Sequence, residues 1–199
     1  MMYIALMLLI AYLLGSIPTG LIIGRLFYNI DIRQHGSGNL GATNTFRILG
    51  KNAGIFVTVF DVLKGTFSAC LPMLFNQDVH PIIIGLAAVL GHVYPIYLKF
   101  KGGKAVATSA GVILGTNPVL FAIIAVIFFT LLFTTKMVSL TSILTSIANF
   151  VGALFFDDKI LMIISGLIMI VIIQRHHSNI KRILNGTEAK ISFNKKTGQ

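Results

Sequence analysis

Two short stretches of this chain combine residue types that hold anions. GSGNLGATN (residues 36–44) sets glycines at 36, 38 and 41 among Ser37, Asn39, Thr43 and Asn44, with Arg47 shortly after. FKGGKAVATS (residues 100–109) sets Gly102 and Gly103 between Lys101 and Lys104. Glycine has no Cβ, so such a backbone can approach a ligand closely and adopt positive φ. Successive N–H groups in a turn of this kind form a concave set of donors. A helix predicted to open at Lys104 would add the partial positive charge of its N-terminus to the full charge of the ammonium. The chemistry these residues are equipped for is the holding of phosphate. Each stretch also has a plainer reading, the first as a flexible loop and the second as a cationic anchor with a helix-breaking pair. The second is not the nucleotide P-loop, because the spacing differs and no Ser or Thr follows Lys104.

Other chemistry is thinly represented. There are six acidic residues and no carboxylate pair, Ser–His–Asp order or nucleophile elbow. No HExxH or paired-cysteine spacing is present, so neither a metal nor a cofactor is expected. His92 closes LGHVYP, and His176 and His177 open the tail. Adjacent residues cannot share one helix face, so at most one of that pair points into any site. A histidine at a helix end also serves as a structural or interfacial anchor. In SLTS (residues 139–142), Ser139 and Ser142 either orient a ligand or pack and cap helices. Asp61 and Lys64 lie three apart on one helix face. An unpaired charge at the bilayer centre costs roughly 3 kcal/mol or more. The two residues therefore read as a neutralising pair, a brace for a site, or a transporter's coupling charges.

The elements that position these residues are membrane helices. Of 199 residues, 55% are hydrophobic and 11% charged, a composition whose solvent is the bilayer. The net charge of +10 comes from basic patches between apolar runs, as in cytoplasmic loops, and not from a nucleic-acid-binding face. The single cysteine, Cys70, lies in an apolar run and forms no internal disulfide. A span needs roughly 20 apolar residues, which predicts crossings at residues 3–23, 53–75, 81–98, 138–156 and 160–174. The first reads as a retained span, not a signal peptide, since it has neither a basic lead nor a small-residue cleavage pattern. Residues 105–135 are too long for one span, and Asn117-Pro118 divides them into 105–116 and 118–135.

Charge decides between one crossing and two there. With two, Arg25, Arg33, Arg47, Lys51, Lys99, Lys101, Lys104, Lys136, Arg175, Lys181, Arg182, Lys190, Lys195 and Lys196 all face the cytoplasm. Asp78, Asp157 and Asp158 then face outside, with Lys159 the exception. The positive-inside bias thus predicts an all-α integral membrane fold over residues 1–199 as a single domain. It has seven transmembrane helices, the N-terminus outside, the C-terminus cytoplasmic, and a short fourth helix. All four polar clusters then lie at one membrane–water interface.

Taken in order, GSGNLGATN with Arg47, DVLKG (residues 61–65), GHVYPIYLKFKGGKAVAT (residues 91–108), SLTS and RHHSNIKRILNGTE (residues 175–188) resemble the PlsY family. These are bacterial integral-membrane acyl-phosphate:glycerol-3-phosphate acyltransferases, and the resemblance covers all but the last ten or so residues. It implies transfer of a fatty acyl group from acyl phosphate to the sn-1 hydroxyl of glycerol 3-phosphate, giving lysophosphatidic acid, the first lipid of phospholipid synthesis. Family members use neither acyl-CoA nor acyl-ACP directly and lack the HxxxxD motif of other acyltransferases, which this chain also lacks. Carried over residue by residue, Lys104, His176 and Ser37 are catalytic. Gly38, Asn39, Asn44, Arg47, Gly102, Gly103, Ser139, Ser142 and Asn179 bind substrate. Arg47, Lys104 and His176 would neutralise phosphate, while the serines and asparagines orient it. The resemblance points to a substrate phosphate as the base that takes the hydroxyl proton, with His176 as the alternative. No metal or cofactor is implied. The partners are the two phosphorylated substrates, the lipid bilayer and a soluble acyl-phosphate synthase, without nucleic acid. The location is the bacterial inner membrane with the site on its cytoplasmic side. The residues alone also leave open a small secondary transporter of phosphorylated metabolites, supported by Asp61, Lys64 and the broken fourth segment. Against it stand the missing inverted repeat and the one-sided clusters.

Overall fold

The computed structural model describes residues 1–191, all helix and connection with no strand among them; Lys195 and Lys196 lie outside the described residues. Helix α1 (Met2–Ser16) leads into α2 (Thr19–Tyr28) at a bend of 43°. The expected continuous span over residues 3–23 is therefore broken. Pro18 has no N–H and pushes Ile17 out of helical geometry, to φ −60° and ψ 116°. A short 3-10 turn (Ile32–Gln34) and the first glycine-rich loop lead to α3 (Ala42–Leu49), and Gly50 turns the chain into α4 (Lys51–Leu74). Helix α5 (Pro81–Val93) begins with proline at its first turn and ends five residues before the predicted limit, the remainder forming a 3-10 turn (Ile96–Leu98).

Helix α6 (Val106–Thr116) and α7 (Pro118–Thr135) meet at Asn117, whose side chain accepts a hydrogen bond from Leu120 N–H (2.9 Å) and so caps α7. The division read from Asn117-Pro118 is thus a true helix break. Helix α8 (Val138–Ala153) precedes α9 (Lys159–Arg175), which Asp158 caps by accepting from Leu161 N–H (2.8 Å). After a 60° bend at His176 comes the amphipathic α10 (His177–Leu184).

By length and apolarity, α4, α5 with its 3-10 extension and α7 can each cross a membrane. Counting each bent pair, α1–α2 and α9–α10, as one span raises that to five, and α6 and α8 are shorter apolar helices. Small residues let these helices touch backbone to backbone, as bilayer packing favours. A Cβ on Gly65 of α4 would stand 2.1 Å from the Thr108 carbonyl oxygen of α6, and one on Gly15 of α1 would stand 2.1 Å from that of Ala88 of α5. The outer face is correspondingly apolar: Val119, Ile123, Val126 and Phe129 form an exposed stripe along α7.

Candidate active site

The second glycine-rich segment is built onto the end of α5. Lys99 and Phe100 turn the chain through left-handed geometry (φ 52° and 61°), and it folds back on the helix it has just left. Gly102 N–H donates to the Val93 carbonyl (3.1 Å) and Gly103 N–H to that of His92 (3.0 Å). A Cβ on Gly102 would stand 2.2 Å from the His92 carbonyl oxygen, and one on Gly103 2.3 Å from His92 Nε2, so only glycine permits this approach. The two carbonyls point the other way and accept from Arg175, whose Nη2 reaches Gly102 O (3.1 Å) and whose Nε reaches Gly103 O (3.2 Å). The N–H groups of the pair therefore hold the loop to α5 instead of facing outward. The free donors here are the opening N–H groups of α6, which starts at Val106, two residues later than expected, and has no side-chain cap.

Lys104 lies in the turn just before that helix. Its ammonium donates to Asn179 Oδ1 on α10. The amide of Asn179 then donates from Nδ2 to Glu188 Oε1 (2.7 Å), the same oxygen that accepts from Ser139 Oγ on α8 (2.7 Å). Glu188 Oε2 accepts from Arg182 Nε (2.7 Å). One carboxylate thus ties together the start of α8, one face of α10 and, through Asn179, the loop before α6. Burial pulls the Glu188 carboxyl upward, but hydrogen bonds from Ser139, Asn179 and Arg182 outweigh it and hold the group below the usual carboxylate range. Burial pushes the Lys104 ammonium down to about 8, against the charge of Glu188 and with help from Arg182 and Arg175.

His176 and His177 diverge as adjacent residues must. His177 is exposed and His176 buried. His176 Nδ1 faces the Ile172 carbonyl oxygen at 2.8 Å, a contact that only an N–H satisfies, so the lone pair resides on Nε2. Burial, then the charge of Lys104, lowers its pKa to about 4. The expected phosphate-neutralising cation is therefore a neutral imidazole at pH 7. It offers an acceptor, the quality a base requires, where a charge was anticipated.

In the first loop Asn44 is a buried peg. Its Nδ2 donates to the carbonyls of Ile32 (3.0 Å) and His35 (3.1 Å), and its Oδ1 accepts from Ser37 N–H (3.0 Å). Gly36 has φ +60° and leaves no room for a side chain, since a Cβ would lie 2.4 Å from Asn44 Oδ1. Gly38 N–H donates to His35 O (3.0 Å), Asn39 N–H to Ser37 Oγ (3.4 Å) and Gly41 N–H to Asn39 Oδ1 (2.9 Å). Most of the expected anion nest is thus bonded internally. What faces outward is the Ser37 hydroxyl and the exposed Arg47 guanidinium, which has no protein partner among the described residues. Arg25 and Arg33 are both held by Asp31, at 2.8 and 2.6 Å.

Of the residues nominated from sequence, Lys104, Asn179 and Ser139 share one hydrogen-bonded set, and Gly102 and Gly103 are held beside it by Arg175. His176 lies within electrostatic reach of Lys104. Ser142 is buried, with Oγ donating to the Val138 carbonyl one turn back (2.8 Å). Ser37, Asn39, Asn44 and Arg47 make no hydrogen bond to the Lys104 set; the two loops meet across a small cavity lined by Leu40 and Gly103. Two residues were missed. Arg175 counted only as a loop cation. Glu188 is the one acidic residue after Gln174, and a lone carboxylate in a basic tail was the available signal.

A sequence model described as glycerol-3-phosphate acyltransferase matches residues 5–186. The glycerol-3-phosphate acyltransferase of Macrococcus caseolyticus is 74% identical over 98% of this chain and 100% of its own length. That of Bacillus velezensis is 54% identical over 96% of this chain and 100% of its own. The fold is similar to the crystal structure of PlsY (YgiH), an integral membrane glycerol 3-phosphate acyltransferase, in its glycerol 3-phosphate form. The TM-score is 0.89 at 37% identity, over 94% of this chain and 95% of that one. The lysophosphatidic acid form of the same protein matches with a TM-score of 0.86.

Proposed function

The chain belongs to the glycerol-3-phosphate acyltransferase family, and we propose that it transfers a fatty acyl group from acyl phosphate to the sn-1 hydroxyl of glycerol 3-phosphate. The products are lysophosphatidic acid and phosphate. The observation that carries the site is the set around Lys104, in which a partly buried ammonium, the open N-terminus of α6 and the neutral His176 lie at one end of the bundle. Both substrates carry phosphate, and bringing them together requires cations that offset their repulsion. Lys104 from one loop and Arg47 from the other supply these. Ser37, Asn39 and Ser139 orient the bound groups, with Gly38, Gly102 and Gly103 shaping the loops and Asn44, Ser142 and Asn179 fixing the frame.

The donor is a mixed anhydride and already activated, so orientation and charge neutralisation supply most of the acceleration. The sn-1 oxygen attacks the acyl carbon, a C–O bond forms, and the bond from that carbon to the phosphate oxygen breaks. Phosphate leaves with the electron pair. The hydroxyl proton passes to a substrate phosphate oxygen, with His176 Nε2 the second acceptor. The test is formation of lysophosphatidic acid by protein purified in detergent, where a transporter has no gradient to work on. Acyl phosphate supports turnover, and comparable rates with acyl-CoA or acyl-ACP as sole donor would refute the assignment.

The same reading makes residues 1–199 one membrane-embedded domain in the bacterial inner membrane, crossing seven times with the N-terminus outside. The site faces the cytoplasm, where a soluble acyl-phosphate synthase delivers the donor. Supporting the even crossing of α6 and α7, Lys104 before α6 donates to Asn179 of the tail and Ile191 N–H of the tail donates to the Lys136 carbonyl after α7 (2.8 Å), so both ends of the pair share one face. Cysteines introduced at positions 136 and 190 are expected to resist impermeant reagents in intact cells and to label after lysis. Labelling of either from outside overturns the topology.

A further inference from the structure

We propose that the buried Asp61–Lys64 pair of α4 is a positioning device for the first glycine-rich loop, an inference that rests on the acyltransferase reading above. The Lys64 Nζ to Asp61 Oδ1 distance is 2.8 Å, and the two side chains are 2% and 3% exposed. A pair serving only to neutralise itself would be complete at that point. Each member instead reaches a second helix. Lys64 Nζ donates to the Ile17 carbonyl (3.2 Å), and Asp61 Oδ1 accepts from Thr19 Oγ1 (3.0 Å). Ile17 and Thr19 flank Pro18, the break between α1 and α2.

At such a break the regular helical ladder no longer fixes the angle between the two pieces. The N–H groups of Leu21 and Ile22 both turn to the Pro18 carbonyl (3.0 Å each), leaving Ile17 outside the ladder of α2. The ion pair grips the chain on both sides of this joint, so α4 sets the direction of α2. Helix α2 in turn carries the loop: a Cβ on Gly20 would lie 2.3 Å from the Leu40 carbonyl oxygen and 3.0 Å from Thr45 Oγ1 at the start of α3. Thr19, Asp61, Leu40 and Gly103 line the same small cavity, which places Asp61 where the two loops meet. Four residues beyond Asp61, Gly65 presses on the Thr108 carbonyl of α6, whose preceding turn holds Lys104. One rigid helix thereby references Ser37 and Arg47 to Lys104, although the two loops share no hydrogen bond.

Removing one charge would strand the other in the bundle, so the test removes both. In the double variant Asp61→Asn, Lys64→Met, the asparagine still accepts from Thr19 while the grip on Ile17 is lost. Thr19→Val removes the other grip without touching a charge, and Thr19→Ser restores the hydroxyl. The readouts are steady-state kinetics in detergent and hydrogen–deuterium exchange. Because the first loop moves and the Lys104–Asn179–Glu188 set does not, the loss is expected in KM. We expect the KM for glycerol 3-phosphate to rise about tenfold or more in the double variant and about threefold in Thr19→Val, with kcat within about threefold and Thr19→Ser native. Exchange should quicken over residues 19–49 and stay unchanged in α8–α10. Native KM in Thr19→Val and in any folded double variant overturns the proposal, and so does exchange quickened evenly through all helices. If the double variant fails to fold, the comparison of valine with serine at position 19 decides. Failure of the unaltered protein to make lysophosphatidic acid would sink the acyltransferase reading, whereas the exchange pattern would still report on the joint.

Discussion

Lys104→Ala is expected to lower acyl transfer at least about a hundredfold, roughly 3 kcal/mol of transition-state stabilisation, with expression and membrane insertion intact. The ammonium is the one full cation within the set formed by Asn179, Ser139 and Glu188 that is not already paired with a carboxylate. It is partly buried, and a charge acting on two phosphates in a partly dry site is worth more than one at an open surface. Lys99 is exposed on the left-handed turn after the 3-10 segment, so Lys99→Ala should lose far less. Equal modest losses in the two variants would reduce the segment to a topological anchor. The titration of Lys104 sharpens the test. Its pKa lies near 8 because burial disfavours the charged form. In the free enzyme the ammonium is present below that pH and lost above it, so kcat/KM should fall as pH rises through about 8. A bound phosphate stabilises the charged form, so kcat should hold to higher pH. Coincident pH limits for kcat and kcat/KM would argue against direct contact between Lys104 and a substrate anion.

Glu188→Gln is expected to lower kcat/KM about thirtyfold in a protein that still folds. The carboxylate accepts at both oxygens, from Ser139 and Asn179 on one and from Arg182 on the other. An amide has one acceptor. Whichever way it is turned, its NH2 faces a donor, and a buried donor left without an acceptor costs about 1–3 kcal/mol. Turned toward Asn179, the NH2 removes the bond that aims Oδ1 at Lys104; turned toward Arg182, it leaves that guanidinium without its acceptor. The lost negative charge also removes an influence that raises the Lys104 pKa, so the alkaline fall in kcat/KM should begin at lower pH than in the native protein. Steady-state rates across pH, with thermal unfolding as the control for folding, measure both effects. Native rates with an unmoved alkaline limit would mean that Glu188 only fastens the tail.

Much of this protein is legible locally. The apolar runs, the break at Asn117-Pro118 and the placement of the basic patches follow from side-chain transfer into lipid and from proline's missing donor, neither of which needs a neighbour to be known. The chemistry of the site is also local in kind. Lysine and arginine beside glycine-rich turns suit phosphate wherever the chain places them, and the order of the motifs pointed to the family. Pro18 carried the same signal as Pro118 but sat within a stretch of single-span length, and that length suggested one continuous span.

Tertiary structure decided which donors remain available and which charges survive. Gly102 and Gly103 look like a phosphate cradle until the end of α5 takes their N–H groups, and Asn44 looks like a ligand until it is seen pinning its own loop. His176 is neutral because α9 and α10 bury it against the Ile172 carbonyl, a consequence of packing and not of its neighbours in sequence. The bond from Lys104 to Asn179 joins residues 75 positions apart, and that from Ser139 to Glu188 spans 49. A hydrogen bond depends on a few tenths of an ångström and on direction. Hydropathy and spacing fix the height of a residue in the bilayer but not which side chain it meets, and only the packed bundle supplies that.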